Sequence, residues 1–515
     1  MKLSFFDSKG DGWHYVPNND FYDSEALGLI SNNPAEGVNN SKKLQKIMDK
    51  FNRIDFTNGD YYFKWWQYQT TGGEPCCVLL GKGAKIFTHK DARIIQQTND
   101  VIGQTTPEHP FLFNGKAIDG SVSDIEINAR YHQEGIAGLF VFRRVDRIHL
   151  HDCVITGGYF DGNLAEWGSR TTLSMLGCSD YLIDNVKFYA RDTNSDYSVL
   201  NANFPGFAIR ANTGFVEPAN QTYTSERGKI TRCKFHGYIY NATEIAGTGT
   251  KYIELSFNDY IDCALTPIDF DKGVYRCSAL YNRVIRLKRG PAFASDGGTD
   301  WIPMRAQGYI TGSFTLESIG CRFIGNEVID TGSDVNIGTD APNFILCSNA
   351  PGTIIQNNRG TNSYFGQAHL INNSQNVIVD GTVLTCLSAF YDGNNNSAGL
   401  VVRDSKFDTY RRAIDIANAG NKFNGMTDFR FSNCEFNYVG GTAFGYDGVY
   451  LENTGVANTG MFINCRFKAY NRPYVVASSS GHKVLFKGIV GVNCQTDPVV
   501  ITGSPSVEYT SMTGI

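Results

Sequence analysis

Five carboxylates stand among aromatic and basic residues in a chain that is otherwise sparing with charge. Asp161 and Glu166 fall beside Tyr159, Trp167 and Arg170; Asp192 is followed by Tyr197 and Arg210; Asp269 and Asp271 precede Trp301 and Arg305. Paired carboxylates on either side of a glycosidic bond can cleave it, one as acid and the other as base or nucleophile. Aromatic rings stack on the C–H faces of sugars, and guanidinium groups bind hydroxyls or uronates. The candidate catalytic residues are therefore Glu166, Asp161, Asp192, Asp269 and Asp271. The candidate sugar contacts are Tyr159, Trp167, Arg170, Tyr197, Arg210 and Trp301. Each loop Asp competes with a plainer role as a turn former, most obviously in Asp161-Gly162. Glu166, next to Trp167, is the first residue to replace.

Other chemistries are poorly served. Removal of a proton beside a uronate needs a basic side chain, but in Arg283-Val284-Ile285-Arg286-Leu287-Lys288 only Arg286 and Lys288 share a strand face. His149 and His151, at i and i+2, read as wall residues rather than metal ligands. The 13 cysteines form no zinc spacing and read as buried, reduced thiols. No cofactor and no metal is expected.

These candidates lie in three interruptions, 157–170, 191–228 and 266–309, of an otherwise repetitive chain. The repeat is a six-residue phrase, found at Leu150–Ile155, Ile183–Phe188, Ile230–Phe235, Val402–Phe407, Phe431–Phe436 and Phe462–Phe467. Its first and sixth residues are apolar, which one straight strand would turn to opposite faces. A bend at the third residue removes the conflict. That position holds Asp152, Asn185, Asp404, Asn433 and Asn464, with Arg232 the exception, and Asx tolerates a left-handed backbone. The fourth residue (Cys153, Val186, Cys233, Ser405, Cys434, Cys465) and the sixth then point inward. Recurring corners between short strands mark a β-solenoid, all-β in class. The phrase resembles the coils of the right-handed parallel β-helix of the pectate-lyase-like superfamily, which includes polysaccharide lyases, hydrolases and phage tailspikes. The paired-Asp and Gly-His-Gly signatures of its lyases and polygalacturonases are missing. If successive coils stack in order, the three interruptions line one groove.

Residues 1–77 read as an N-terminal arm and cap, and 78–515 as the β-helix. The cap helix spans about 41–51, with Asn40 or Ser41 at its start and Leu44, Ile47, Met48 and Phe51 on one face. The strand from Arg53 and the turn at Asn58-Gly59 follow, again resembling the superfamily's cap, which shields the first coil's apolar core and strand edges. A net charge of −5 argues against nucleic-acid binding, and no apolar run reaches the ~20 residues of a membrane span. The opening Met1-Lys2-Leu3-Ser4 does not read as a secretory signal. The resemblance implies a phage tailspike or tail-fibre-like protein, generally a homotrimer, that binds and depolymerises a bacterial surface polysaccharide, made in the host cytoplasm and carried on the virion. The alternatives are a secreted or periplasmic bacterial polysaccharide lyase or glycoside hydrolase, with hydrolysis favoured over elimination, and a non-enzymatic β-helix adhesin.

Overall fold

The repeated phrase turns where its third residue permits. In the computed structural model, Asp152, Asn185, Arg232, Asp404, Asn433 and Asn464 all adopt the left-handed backbone, with φ between 50° and 54°. The first, fourth and sixth residues of every copy are buried. The same corner recurs at Phe257, Tyr281, Gly325, Asn357, Gly381 and Gly488, each with positive φ. The structure describes residues 3–6, 12–15, 22–63, 76–80, 84–88, 92–96, 109–114, 122–129, 140–143, 145–156, 171–190, 196, 206–212, 224–288, 302–307, 309–311, 314–332, 342–391, 397–416, 426–441, 445–451, 458–476, 483–495 and 499–500.

The chain divides into two compact units, Met1–Thr243 and Glu244–Ile515. In the first, parallel strands stack from Arg53–Phe56 through Lys85–Thr88, Val122–Ala129, Val145–His151 and Leu182–Asp184 to Lys229–Thr231. A second stack runs from Val154–Thr156 to Lys234–His236, and a third from Cys76–Leu80 to Phe207–Asn212. The cap helix, Gly37–Phe51, packs on Arg53–Phe56 and Gly59–Phe63, burying Leu44, Ile47 and Met48. It starts at Gly37 rather than at about residue 41, because the single turn Pro34–Glu36 feeds straight into it. Neither Asn40 nor Ser41 caps it. Asn40 is committed elsewhere, accepting from Ile30 N and donating to the carbonyls of Ile30 and Tyr62, while Ser41 Oγ donates to Gly37 O.

In the second unit each coil has three walls. The first runs from Glu254–Ser256 to Lys483–Lys487 and the second from Asp259–Ile261 to Val490–Val492. The third is Ile268–Asp271, Met304–Gln307, Ile345–Ser348 and Phe365–Asn372; later coils use Ile414–Ile416, Val449–Leu451 and Tyr474–Val476. Like side chains stack inside. Phe407, Phe436 and Phe467 form one column and Phe431, Phe462 and Phe486 another, with neighbouring rings 4.9–5.6 Å apart. Buried asparagines at the fourth position, Asn258, Asn282, Asn326 and Asn358, form a ladder in which each donates to the next side chain's Oδ1 at 3.0 Å. The ladder satisfies polar groups that burial would otherwise penalise.

The described parts of residues 266–309 belong to the coils: they contain two third-wall strands and the first and second walls of the coil between them, while 289–301 and 308 lie outside the described residues. Phe257 and Tyr281 hold corners that Asx holds elsewhere, which hid the repeat. The span 191–228 likewise contains the wall strand Phe207–Asn212. The two earlier spans fall in the first unit and residues 266–309 in the second, and 157–170 lie outside the described residues.

Candidate functional site

Asp269 and Asp271 sit on a wall strand, where alternation decides their direction. Ile268 and Phe270 are the inward residues, and Phe270 stacks across the core on Phe323 at 5.4 Å. The two aspartates therefore leave the opposite, outer face of the same strand. Outer-face residues of a β-helix are normally wet, yet Asp269 is 0% and Asp271 9% exposed. Burial of two carboxylates this close demands compensation.

For Asp269 the compensation is explicit. Arg305, its register partner on the next coil, donates Nε and Nη2 to the two carboxylate oxygens at 2.8 and 2.7 Å. Such a fork holds the carboxylate in one orientation. Asp271 has weaker support. Its Oδ1 accepts from the backbone N–H of Lys272 at 2.8 Å, and Lys272 Nζ stands 3.9 Å from Oδ2. Burial, with Asp269 and then Glu244 adding repulsion, pushes the Asp271 carboxyl up to about 7 against the pull of Arg305 and Lys272. A carboxyl held up in this way keeps its proton to higher pH than an ordinary Asp, the direction a general acid needs.

Glu244 completes the group. Gly247 N–H donates to Asp271 O, a parallel register that sets Glu244 beside Asp269 on the preceding strand, and Glu244 is buried too. From Asp271 it lies one strand across and two residues along, a Cα diagonal of about 8 Å from standard sheet spacings. Sequence reading named Asp269 and Asp271 among its candidates but not Glu244 or the pairing with Arg305. The signal was available as alternation: Thr243-Glu244-Ile245-Ala246, Ile268-Asp269-Phe270-Asp271 and Met304-Arg305-Ala306-Gln307 share one pattern at successive coils.

Tyr159, Asp161, Glu166, Trp167, Arg170, Asp192, Tyr197 and Trp301 lie outside the described residues. Arg210 belongs to the first unit, on Phe207–Asn212, with its guanidinium 5.2 Å from the Phe207 ring. Arg283 pairs with Asp259, and Arg286 and Lys288 pair with Asp262, so these cations link coils rather than form a basic row. His149 and His151 stack at 3.9 Å, and His151 Nδ1 lies 2.9 Å from Asp152. Among the described residues, no group of His, Cys, Asp and Glu could hold a metal ion.

No protein-family model and no curated protein sequence matches the chain. Solved structures do. PfbA, a surface adhesin of Streptococcus pneumoniae, is similar with a TM-score of 0.53 and 12% identity, over 80% of this chain and 90% of that one. A tailspike protein of the E. coli bacteriophage HK620 gives a TM-score of 0.49 and 11% identity, over 97% and 82%. Gene product 12 of bacteriophage phi29 gives 0.48 and 11%, over 96% and 71%. At such identities the likeness is one of fold: the chain is a right-handed parallel β-helix. Among the described residues no helix is long and apolar enough to cross a membrane.

Proposed function

We propose that this protein binds a polysaccharide and hydrolyses its glycosidic bonds on the outer face of the third wall of its second unit. The observation that carries this is the cluster of three buried carboxylates, Glu244, Asp269 and Asp271, on one wall, whose burial and mutual repulsion hold the Asp271 carboxyl up. Asp271 protonates the leaving oxygen as the bond to the anomeric carbon breaks. Glu244 takes the proton of the attacking water, and Asp269, held in the Arg305 fork, keeps the wall beside them in one geometry. With Glu244 acting through a water rather than attacking the sugar itself, the reaction inverts the anomeric configuration.

Three measurements test it. Asp271→Asn should lower kcat by at least ~100-fold on any polysaccharide the wild type shortens, since general-acid catalysis supplies about that much or more. Because the acid must be protonated, wild-type kcat should fall as pH rises through about 7, and that limb should vanish in the variant. A wild-type limb retained in Asp271→Asn would remove the assignment. Nuclear magnetic resonance of the first product gives its anomeric configuration; retention would exclude Glu244 as a base acting through water.

The biological setting we propose is a phage tailspike or tail-fibre-like homotrimer that attaches to a bacterial surface polysaccharide. The ten buried, unbridged cysteines suit folding in a reducing cytoplasm, where virion proteins assemble. Light scattering should give three times the 57.0 kDa chain mass; a monomer would count against this setting. The second reading is a β-helix that binds without cutting. It is favoured by the complete burial of Asp269 in its ion pair, which is also what a purely structural bridge looks like, and PfbA is named a surface adhesin. Binding of capsule or lipopolysaccharide with no shortening of the chains would select it.

A further inference from the structure

Asp271 begins a file that continues along the wall. Its register partners on the following coils are Gln307, then Ser348, then Asn372. All three are partly exposed, while the inward residues between them, Ala306, Cys347 and Ile371, are buried. Among the described residues, the side chains of Gln307 and Ser348 make no hydrogen bond. Stacked strands repeat at about 4.8 Å, so the file runs about 14 Å from the acid. The adjacent file goes from the neutralised Asp269–Arg305 pair to Leu346, a partly exposed apolar side chain beside Ser348.

We propose that Gln307, Ser348 and Asn372 bind the hydroxyls of a neutral glycan laid across successive coils, with its scissile bond at Asp271. This rests on the hydrolase reading for the scissile bond, though not for binding. Amide and hydroxyl groups donate and accept, which matches sugar hydroxyls, and Leu346 offers apolar surface to the C–H face of a ring. A polyanion finds little here. Lys272 and Arg305, the cations beside the file among the described residues, each face a carboxylate already. A chain of uronates would bring its charges up to Glu244, Asp269 and Asp271 with no unmatched cation beside the file among the described residues to meet them.

The test uses the full-length Asp271→Asn protein as a non-cleaving binder. Its probes are dextran-, mannan- and laminarin-derived oligosaccharides of two to eight units, set against oligogalacturonates of equal length. The expected result is binding of at least one neutral series, tightening with length, with Kd within twofold between 50 and 500 mM NaCl. Adding Gln307→Ala or Ser348→Ala should weaken Kd about fivefold to tenfold each, the size of one lost hydrogen bond, while the circular dichroism melt stays in place. Tighter binding of oligogalacturonates, steep weakening by salt, equal affinities in the alanine variants, or no binding of either class would each overturn the proposal. Wild-type protein that binds the neutral series through these residues but never cuts it would sink the catalytic reading alone and leave the binding path standing.

Discussion

His369 and Asp271 are buried on the same wall and respond to pH in opposite senses. His369 is enclosed by Phe344, Phe390 and Phe407, and neither ring nitrogen has a hydrogen-bond partner among the described residues. Burial lowers its pKa from 6.5 to about 3. The unfolded chain binds this proton first, so the stability held above pH 6.5 is lost as pH falls from 6.5 towards 3. The slope is up to about 1.4 kcal/mol per pH unit for one such group. His369→Met keeps the volume and removes the titration; its urea midpoint should decline less than the wild type's between pH 7 and pH 4.5. Parallel declines would show that His369 is not responsible. Asp271 carries the reverse sign, because its folded pKa lies above the unfolded 3.8. Its protonated form favours the folded state at low pH, and that stability is lost as pH rises from about 4 to about 7. Asp271→Asn should therefore melt higher than the wild type at pH 7.5 while losing activity, the exchange expected where a strained site serves catalysis. A lower melting temperature would mean that the carboxylate stabilises the wall.

Among the elements, the corner decided what could be read. An Asx residue flanked by apolar residues announces a left-handed turn, so the five such phrases, with the Arg232 copy beside them, pointed to the architecture, the inward cysteines and the parallel stacking. Tyr281 does not announce one. It holds φ 56° while half-exposed, its ring lying over Gly325, where a Cβ would come within 2.4 Å of the ring. With that coil disguised, Asp269 and Asp271 looked like loop residues although they belong to a wall. Glu244 and Arg305 became visible only once register aligned the strands. The asparagine ladder was equally hidden, since a buried Asn is rare without partners and the partners are 24 to 44 residues away. Asn326 shows its worth. The Asn326 Oδ1 accepts from both the backbone and side chain of Asn282, and its Nδ2 donates to Ala279 O and to Asn358 Oδ1. Asn326→Leu, similar in volume, should cost about 3 kcal/mol or more by orphaning several buried groups at 1–3 kcal/mol each. A loss below 1 kcal/mol in urea unfolding would show the ladder to be dispensable.

Across the whole molecule, stacking takes the place that covalent links hold in many extracellular repeats. Each coil contributes residues that meet only their counterparts above and below, so stability accrues as a sum of neighbour contacts. The cysteines sit in those columns as small apolar groups. Cys434 stacks beside Cys465, and Cys277 beside Cys321, each pair brought together by the register of the strands that follow, yet none is bridged. Burial raises the thiols of Cys233, Cys277 and Cys347 to about 12, so almost no thiolate is present at pH 8 and no reagent reaches it without local opening. Among the cysteines whose side chains are described, ten are buried and Cys494 is half-buried; Cys76 and Cys77 complete the 13 in the sequence. Under native conditions at pH 8 a disulfide reagent should therefore label at most three thiols quickly, and all 13 after denaturation in urea. Reductant should leave the melting temperature unchanged, because there are no bridges among the described cysteines to break. Peptide mapping identifies which thiols react: fast labelling at Cys277, Cys321, Cys434 or Cys465 would show that the columns open readily. Stacked neighbours would then not be what holds the coils together.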